Sequence, residues 1–290
     1  MKPHSKPLTA EYVDCTINQP RDTVNPFPNV KRIKIMPAET RLFICRSDNY
    51  GVLLHDPSSG ATAAIDAPDA APIDAALKAT GWKLTDILVT HHHADHTDGI
   101  RALKDKHKCR VVAPAGEASK IPAVDETVRE GDKAKIGTLS ADVIETPGHT
   151  LGHIAYWFHD QKLAFVGDTL FSIGCGRVIE GTPEQMWHSL TKLRDLPDDT
   201  EIYCGHEYTA ANIKFARTVE PNNKALAARE AEVKQQIAKS EPTIPTTLGE
   251  EKRANPFLRA DVSEVAEGIG MKNRPAAEVF AEIRARKNRF

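Results

Sequence analysis

The stretch Thr90-His91-His92-His93-Ala94-Asp95-His96 places five potential metal ligands within seven residues. It follows directly on the apolar run Asp86-Ile87-Leu88-Val89, so the spacing predicts a strand that ends where the ligands begin. The same arrangement recurs three times downstream. His149 follows Asp142–Glu145 through Thr146-Pro147-Gly148, Asp168 follows Leu163–Gly167, and His206 follows Glu201–Cys204 through Gly205. If these strands share one sheet edge, their ligands converge, as active-site residues do in layered α/β folds.

His91 and His93 are two apart and point the same way along an extended backbone. With His149 they make a three-imidazole site that leaves a position for solvent. Asp95, His96 and His206 supply a second metal, and Asp168 has two oxygens with which to bridge the pair. Mixed imidazole and carboxylate ligation suits zinc, iron or manganese, and the residues leave that choice open. Two ions ~3.5–4 Å apart would bring a bridging water's pKa from ~16 toward ~7 and so supply a hydroxide nucleophile. One ion can also polarise a carbonyl and stabilise the oxyanion formed on attack. The chemistry expected is hydrolysis of an activated carbonyl or phosphate ester, and no G-x-S-x-G elbow or P-loop competes with it. A structural zinc clip is the plain alternative, but such sites are closed, four-coordinate and rich in cysteine. This set contains no cysteine and has too many ligands for one ion. His55, His107, His159 and His188 read as surface or satisfied core residues. His92 is expected to face away from the metals, and His153 to support the site rather than ligate.

The elements that must position these groups are short. Leu42–Cys45, Gly51–Leu54, Ala61–Ile65, Asp86–Val89, Arg110–Val112, Asp142–Glu145, Ile154–Phe158 and Leu163–Val166 read as strands. Ile73–Thr80, Asp98–Lys106 and Pro183–Arg194 read as helices, the last with Met186, Trp187, Leu190 and Leu193 on one stripe. After His206 the chain changes character: Tyr208–Thr218 and Ala225–Lys239 are helical, a loop with Pro242, Pro245 and Pro256 follows, and a last helix starts at Pro275. Three segments result: an extended arm at 1–32, an α/β domain at 33–209 that carries the ligands and a helical domain at 210–290.

Forty per cent hydrophobic and 27% charged residues are ordinary globular composition. A net charge of -2 gives no electrostatic case for nucleic acid or a membrane as partner. No apolar run approaches the ~18 residues of a membrane span, and the start has no apolar secretory core. Five scattered cysteines form no disulfide framework, which points to a reducing cytoplasm, and Cys175 and Cys204 read as buried thiols. The oligomeric state is left open.

His91-x-His93-x-Asp95-His96, Pro147-Gly148-His149-Thr150, Gly167-Asp168-Thr169 and Gly205-His206, in that order, resemble the metallo-β-lactamase superfamily. The resemblance implies an αββα sandwich with a dinuclear site at one sheet edge and a small C-terminal helical domain. Further stretches resemble one branch, the glyoxalase II (hydroxyacylglutathione hydrolase) family. These are Asp48-Asn49-Tyr50, Gly167–Phe171, Gly174–Arg177, Glu180–Thr182, Cys204–Thr209, Asn255–Arg259 and the closing Arg284–Phe290. That branch implies two divalent ions, with zinc first and iron or manganese as alternatives. It implies hydrolysis of a glutathione thioester, typically S-D-lactoylglutathione, to D-lactate and glutathione, the second step of methylglyoxal detoxification. Its catalytic carboxylates fall on Asp95 and Asp168. Its substrate contacts fall on Arg177, Tyr208, Arg284 and Lys287, the last two neighbours on one helical face. Two positions depart from the pattern. Ile179 stands where some members carry an aromatic residue that touches glutathione, and Ile65-Asp66-Ala67-Pro68 replaces the more usual Asp-Pro-Gly turn. Asp66 itself reads as a turn carboxylate behind the site. Rival readings are a lactamase, a lactonase or a persulfide dioxygenase of the same superfamily, or a non-catalytic metal-binding descendant.

Overall fold

In the computed structural model the described residues are 36–290; the arm expected at 1–32 lies outside them. Alternation of apolar residues along short strands builds two six-stranded sheets. The first runs β1 (Glu39–Cys45), β2 (Asn49–His55), β3 (Thr62–Ile65), β4 (Asp86–Leu88), β5 (Arg110–Pro114) and β6 (Glu126–Val128), in that spatial order. β1 to β3 pair antiparallel, and β3 to β6 pair parallel. The parallel crossovers use α1 (Ala70–Thr80), the single turn α2 (Ala94–Thr97) and α3 (Ile100–His107).

The second half begins with β7 (Lys133–Ile136), β8 (Leu139–Glu145), β9 (Ile154–Phe158) and β10 (Leu163–Gly167). A small separate hairpin, β11 (Leu170–Phe171) and β12 (Gly174–Cys175), precedes β13 (Glu201–Cys204) and β14 (Thr246–Thr247). The sheet order is β14-β13-β10-β9-β8-β7, so a strand of the C-terminal segment completes the catalytic sheet. The remaining helices are α4 (Pro183–Arg194), α5 (Thr209–Val219), α6 (Lys224–Ala238), α7 (Leu248–Ala254), α8 (Ser263–Gly268) and α9 (Ala276–Arg289).

Period-two alternation decides what each strand faces. Val52, Leu54, Ile65, Leu88 and Val112 join the second sheet's residues in one core between the sheets. Leu53, Ala64, Ile87 and Val111 point the other way and meet Ile73, Leu77, Ile100 and Leu103 of α1 and α3. On the opposite side α4 and α9 join the main core through Met186, Leu190, Val279, Phe280 and Ile283. The layering is αββα, with a helical C-terminal segment. No helix among the described residues is long and apolar enough to cross a membrane.

Several local readings shift. The helix expected at Asp98–Lys106 begins at Ile100, because Gly99 packs against the turn before α1, where a Cβ would meet Ala70 N at 2.8 Å. α1 begins three residues earlier than expected, capped by Asp69, whose carboxylate accepts from the Ala71 N–H at 3.0 Å. The proline-rich loop after α6 contains β14 and α7, the latter opened by a capping box between Thr247 and Glu250.

α9 depends on one aromatic. Phe280 is fully buried, with its ring 6.0 Å from Trp187 and 6.1 Å from Phe257. Phe280→Ala is expected to cost about 3–5 kcal/mol. The check is a urea melt: the midpoint should fall with the slope preserved, and an unmoved midpoint would show that α9 is not held this way.

Candidate metal centre

All four strand ends open onto one place. Thr90 to His96 follow β4, His149 follows β8, Asp168 follows β10 directly and His206 follows β13. Acceptable ligand atoms of His91, His93 and His149 lie within 4.8 Å of one another, and those of Asp95, His96 and His206 form a second such group. Asp168 lies between the groups. Its Oδ2 is 3.3 Å from His149 Nε2 and 3.5 Å from His206 Nε2, and its Oδ1 is 3.4 Å from His96 Nε2. The seven residues picked out by spacing are thus brought together.

Four of the rings are turned by a partner on their far side. His96 Nδ1 donates to Asp66 Oδ2 at 2.8 Å, and His149 Nδ1 donates to the Arg177 carbonyl at 2.9 Å. His91 Nδ1 meets Thr90 Oγ1 at 3.0 Å, and that hydroxyl donates to Asp66 Oδ2 at 2.8 Å. Asp48 Oδ1 lies 3.4 Å from His206 Nδ1. These bonds aim Nε2 of four imidazoles inward, while His93 presents Nδ1, 3.0 Å from His149 Nε2. A histidine whose outer nitrogen donates to an acceptor is the usual arrangement of a metal ligand.

The electrostatics agree. Burial holds His91 well below the ordinary histidine value, aided by repulsion from His96 and His153, and burial likewise lowers His93 and His149. Those three imidazoles are neutral, with lone pairs free to ligate. Burial also acts against charge on Asp168, but His96 and His206 overcome it and hold the carboxyl well below its usual range. In return, Asp168 and Asp66 raise His96 against its burial. Asp168 is almost fully buried, and its Oδ1 has no hydrogen-bond partner. A buried anion with an unused oxygen among inward-facing imidazoles is a donor set that fits two divalent cations.

The close approach at the end of β13 needs a residue without a side chain. A Cβ on Gly205 would meet Asp168 Oδ1 at 2.5 Å and His96 Cε1 at 2.7 Å. His92 stays outside the cluster, with Nδ1 2.9 Å from Glu117 Oε2 and Nε2 3.4 Å from Glu180 Oε1. His153 is fully buried, stacks on His91 at 4.8 Å and accepts from the Asp168 N–H at 3.1 Å.

The centre opens into a cavity of about 990 Å³. Arg177, Ile179, Tyr208, Arg284 and Lys287 all line it. Tyr208 lies flat on His206, centroids 4.9 Å apart and planes 2° apart, and burial pushes its hydroxyl up to about 12. It therefore stays protonated at neutral pH and can donate a hydrogen bond. Arg284 is more enclosed than a basic helix face suggests. Its Nη1 donates to the Cys175 carbonyl at 2.9 Å, and its guanidinium lies 5.2 Å above the Phe257 ring. Lys287 Nζ donates to the Ala211 carbonyl at 3.0 Å and sits over Phe215 and Phe290. Ile179 is half exposed.

The metallo-beta-lactamase superfamily model matches residues 43–206, and that of the hydroxyacylglutathione hydrolase C-terminus matches 207–290. A hydroxyacylglutathione hydrolase of Rhodopseudomonas palustris strain BisB18 is 64% identical over 254 residues, 88% of this chain and 100% of that one. The chain belongs to the hydroxyacylglutathione hydrolase family. A second hydroxyacylglutathione hydrolase, from Nitrobacter hamburgensis, is 62% identical over 254 residues, again 88% of this chain and 100% of that one. The crystal structure of ETHE1 from Myxococcus xanthus has a TM-score of 0.59 at 27% identity, covering 86% of this chain and 98% of that one.

The fold of this family also exposes a residue that spacing did not reveal. Glu117 is 1% exposed; it accepts from the His92 N–H at 2.7 Å and from the Gly152 N–H at 2.9 Å. It ties the loop of His91 and His93 to the loop of His149. A lone glutamate bonded to distant backbone groups leaves no local sequence pattern. The sharper test of the centre concerns Asp168. Asp168→Ala should lose bound metal as well as turnover, measured by elemental analysis after purification; normal metal occupancy with full activity would remove Asp168 from the site.

Proposed function

We propose that this chain hydrolyses S-(2-hydroxyacyl)glutathione, typically S-D-lactoylglutathione, to glutathione and a 2-hydroxy acid. The observation that carries this is the pairing, in one cavity, of the histidine–aspartate cluster with Arg177, Arg284 and Lys287. Glutathione is an anionic tripeptide, and three cations beside a hydrolytic centre suit it. Hydroxyacylglutathione hydrolase relatives aligned along nearly their whole length support the same reading.

His91, His93 and His149 would hold one divalent ion, Asp95, His96 and His206 the other, and Asp168 would belong to both. Zinc heads the choices for this donor set, with iron or manganese as alternatives. When bound, such ions supply a water acidic enough to attack at neutral pH and a Lewis acid for the thioester carbonyl. The protein's own residues supply the rest. Arg284 and Lys287 bind glutathione carboxylates from α9, and Arg177 steadies the substrate from the loop after β12. Tyr208, fixed flat on His206, donates from its hydroxyl to the substrate backbone. Asp95, 40% exposed at its side chain, faces the reacting centre with Oδ2 3.4 Å from His206 Nε2. Water oxygen joins the acyl carbon, the carbon–sulfur bond breaks, and glutathione departs as a thiolate, which is stable enough to leave without a strong general acid. Residues 33–209 would then supply the chemistry, with Arg177 and Tyr208 reaching the substrate, and 210–290 would supply the remaining grip through Arg284 and Lys287.

The direct test is thiol release from S-D-lactoylglutathione, followed with a colorimetric thiol reagent, with and without chelator. Rapid, chelator-sensitive release is expected; no release from a fully metallated sample would overturn the substrate and leave lactones, β-lactams and persulfides to try. Lys287→Ala should raise KM about tenfold, the worth of one charge-assisted hydrogen bond, with kcat nearly unchanged. A loss confined to kcat would take Lys287 out of glutathione binding.

A further inference from the structure

The β11–β12 hairpin joins the metal-bearing strand ends to the C-terminal helices, and its turn is held under strain. Ile173 has a φ of 54°, the left-handed region that a β-branched residue adopts only when its surroundings enforce it. The enforcing group is Glu251 of α7, whose Oε2 accepts the Ile173 N–H at 2.8 Å. Asn255 Nδ2 donates to the same oxygen at 2.9 Å, and also to the Gly174 and Phe171 carbonyls at 3.0 and 3.3 Å. Asn212 donates to the Ser172 carbonyl at 3.1 Å, and Arg229 reaches Ser172 Oγ at 3.3 Å. Three of the hairpin's carbonyls, those of Phe171, Ser172 and Gly174, are thus gripped from the C-terminal segment.

Glu251 is an expensive way to hold a turn. It is fully buried, and its Oε1 has no hydrogen-bond partner. Burial pushes its carboxyl up to about 7, against the lowering effect of the bonds from Ile173 and Asn255. A half-satisfied buried carboxylate is poor material for stability alone. What it holds leads to the metal centre. Past the turn, the Cys175 carbonyl accepts from Arg284, and two residues on the Arg177 carbonyl accepts the Nδ1–H of His149. On the hairpin's other strand, Phe171 meets Tyr208 edge-on at 5.4 Å.

We propose that Glu251 is a positioning residue: by accepting the Ile173 N–H it fixes the hairpin, and the hairpin sets the carbonyl that aims His149. The C-terminal segment would then tune the metal centre as well as grip the substrate. The proposal deepens the functional reading above and rests on it only where substrate is used.

Two variants separate the acceptor from the charge. Glu251→Gln keeps an oxygen for Ile173, whereas Glu251→Leu keeps the volume and removes the acceptor. Metal retention against graded chelator and the split between KM and kcat for S-D-lactoylglutathione are measured on each purified, metallated protein. E251Q should stay within about twofold of the wild type in both readouts. E251L should lose metal at ~10-fold lower chelator and raise KM by a similar factor, the scale of one hydrogen bond to a charged acceptor. Asn255→Ala leaves Glu251 in place but frees the Phe171 and Gly174 carbonyls, and it should shift both readouts the same way. Wild-type metal retention and KM in E251L or N255A overturns the proposal, as does an E251Q as impaired as E251L. Metal retention needs no substrate, so a wild-type protein inert toward the thioester would fault the functional reading alone.

Discussion

The buried carboxylate of Asp168 is the constraint to which the rest of the structure answers. An anion held away from water is costly unless positive charge reaches it, and here both of its oxygens face imidazole nitrogens. Its position, one residue past the end of β10, fixes where the ligand-bearing ends of β4, β8 and β13 must finish. The parallel pairing of β10 with β13 brings His206 alongside, and Gly205 leaves the space in which Asp168 Oδ1 sits. The two sheets press their apolar faces together below this edge, so the core's packing sets the ligands' separation.

Around that anion the structure spends backbone and polar groups on orientation. Asp66, itself in a left-handed conformation at φ 57°, receives bonds from His96, from the Thr90 hydroxyl and from the Thr90 N–H. One carboxylate therefore sets two ligands, His96 directly and His91 through Thr90. Glu117 does comparable work on backbone, joining the His92 and Gly152 amides. Removing Asp66 would free the His96 ring, and removing Glu117 would unfasten the two loops that carry His91, His93 and His149.

Much of this was legible in the residue order. The four ligand-bearing strand ends could be read because each is a compact β-branched or aromatic run with a ligand within four residues of its end. Of the C-terminal segment's main helices, α5 and α6 could be read from their Ala, Lys, Glu and Gln content and α9 from its periodicity. The hairpin and β14 could not, since two-residue strands have no period. α7 lay hidden among prolines, although Thr247 and Glu250 had the capping-box spacing that would have revealed it. Asp66 was legible as a carboxylate behind the site, but its hold on two ligands depends on a contact thirty residues away in sequence. Glu117 and Glu251 were invisible for the same reason: their partners are amide groups brought close only by the finished fold.

The division of labour follows from what each half of the cavity can distinguish. A cluster of imidazoles and carboxylates activates water for any electrophile that reaches it, so it sets the reaction and says little about the substrate. Selection must come from groups that recognise the part of the substrate that does not react, the role proposed above for Arg177, Tyr208, Arg284 and Lys287, which line the same cavity. Arg284 shows why the two functions are hard to separate. Its guanidinium spans the cavity wall and the Cys175 carbonyl, so one side chain both lines the substrate site and steadies the strand leading to Arg177 and His149. Ile179, which lines the same cavity, bears on the same question. An aliphatic side chain there offers glutathione contact area but no aromatic face, which leaves more of the discrimination to the charges of Arg177, Arg284 and Lys287. Recognition carried by charge weakens as salt rises, whereas recognition by an aromatic stack does not. In this chain, then, selectivity for the anionic tripeptide should be set by electrostatics more than by shape.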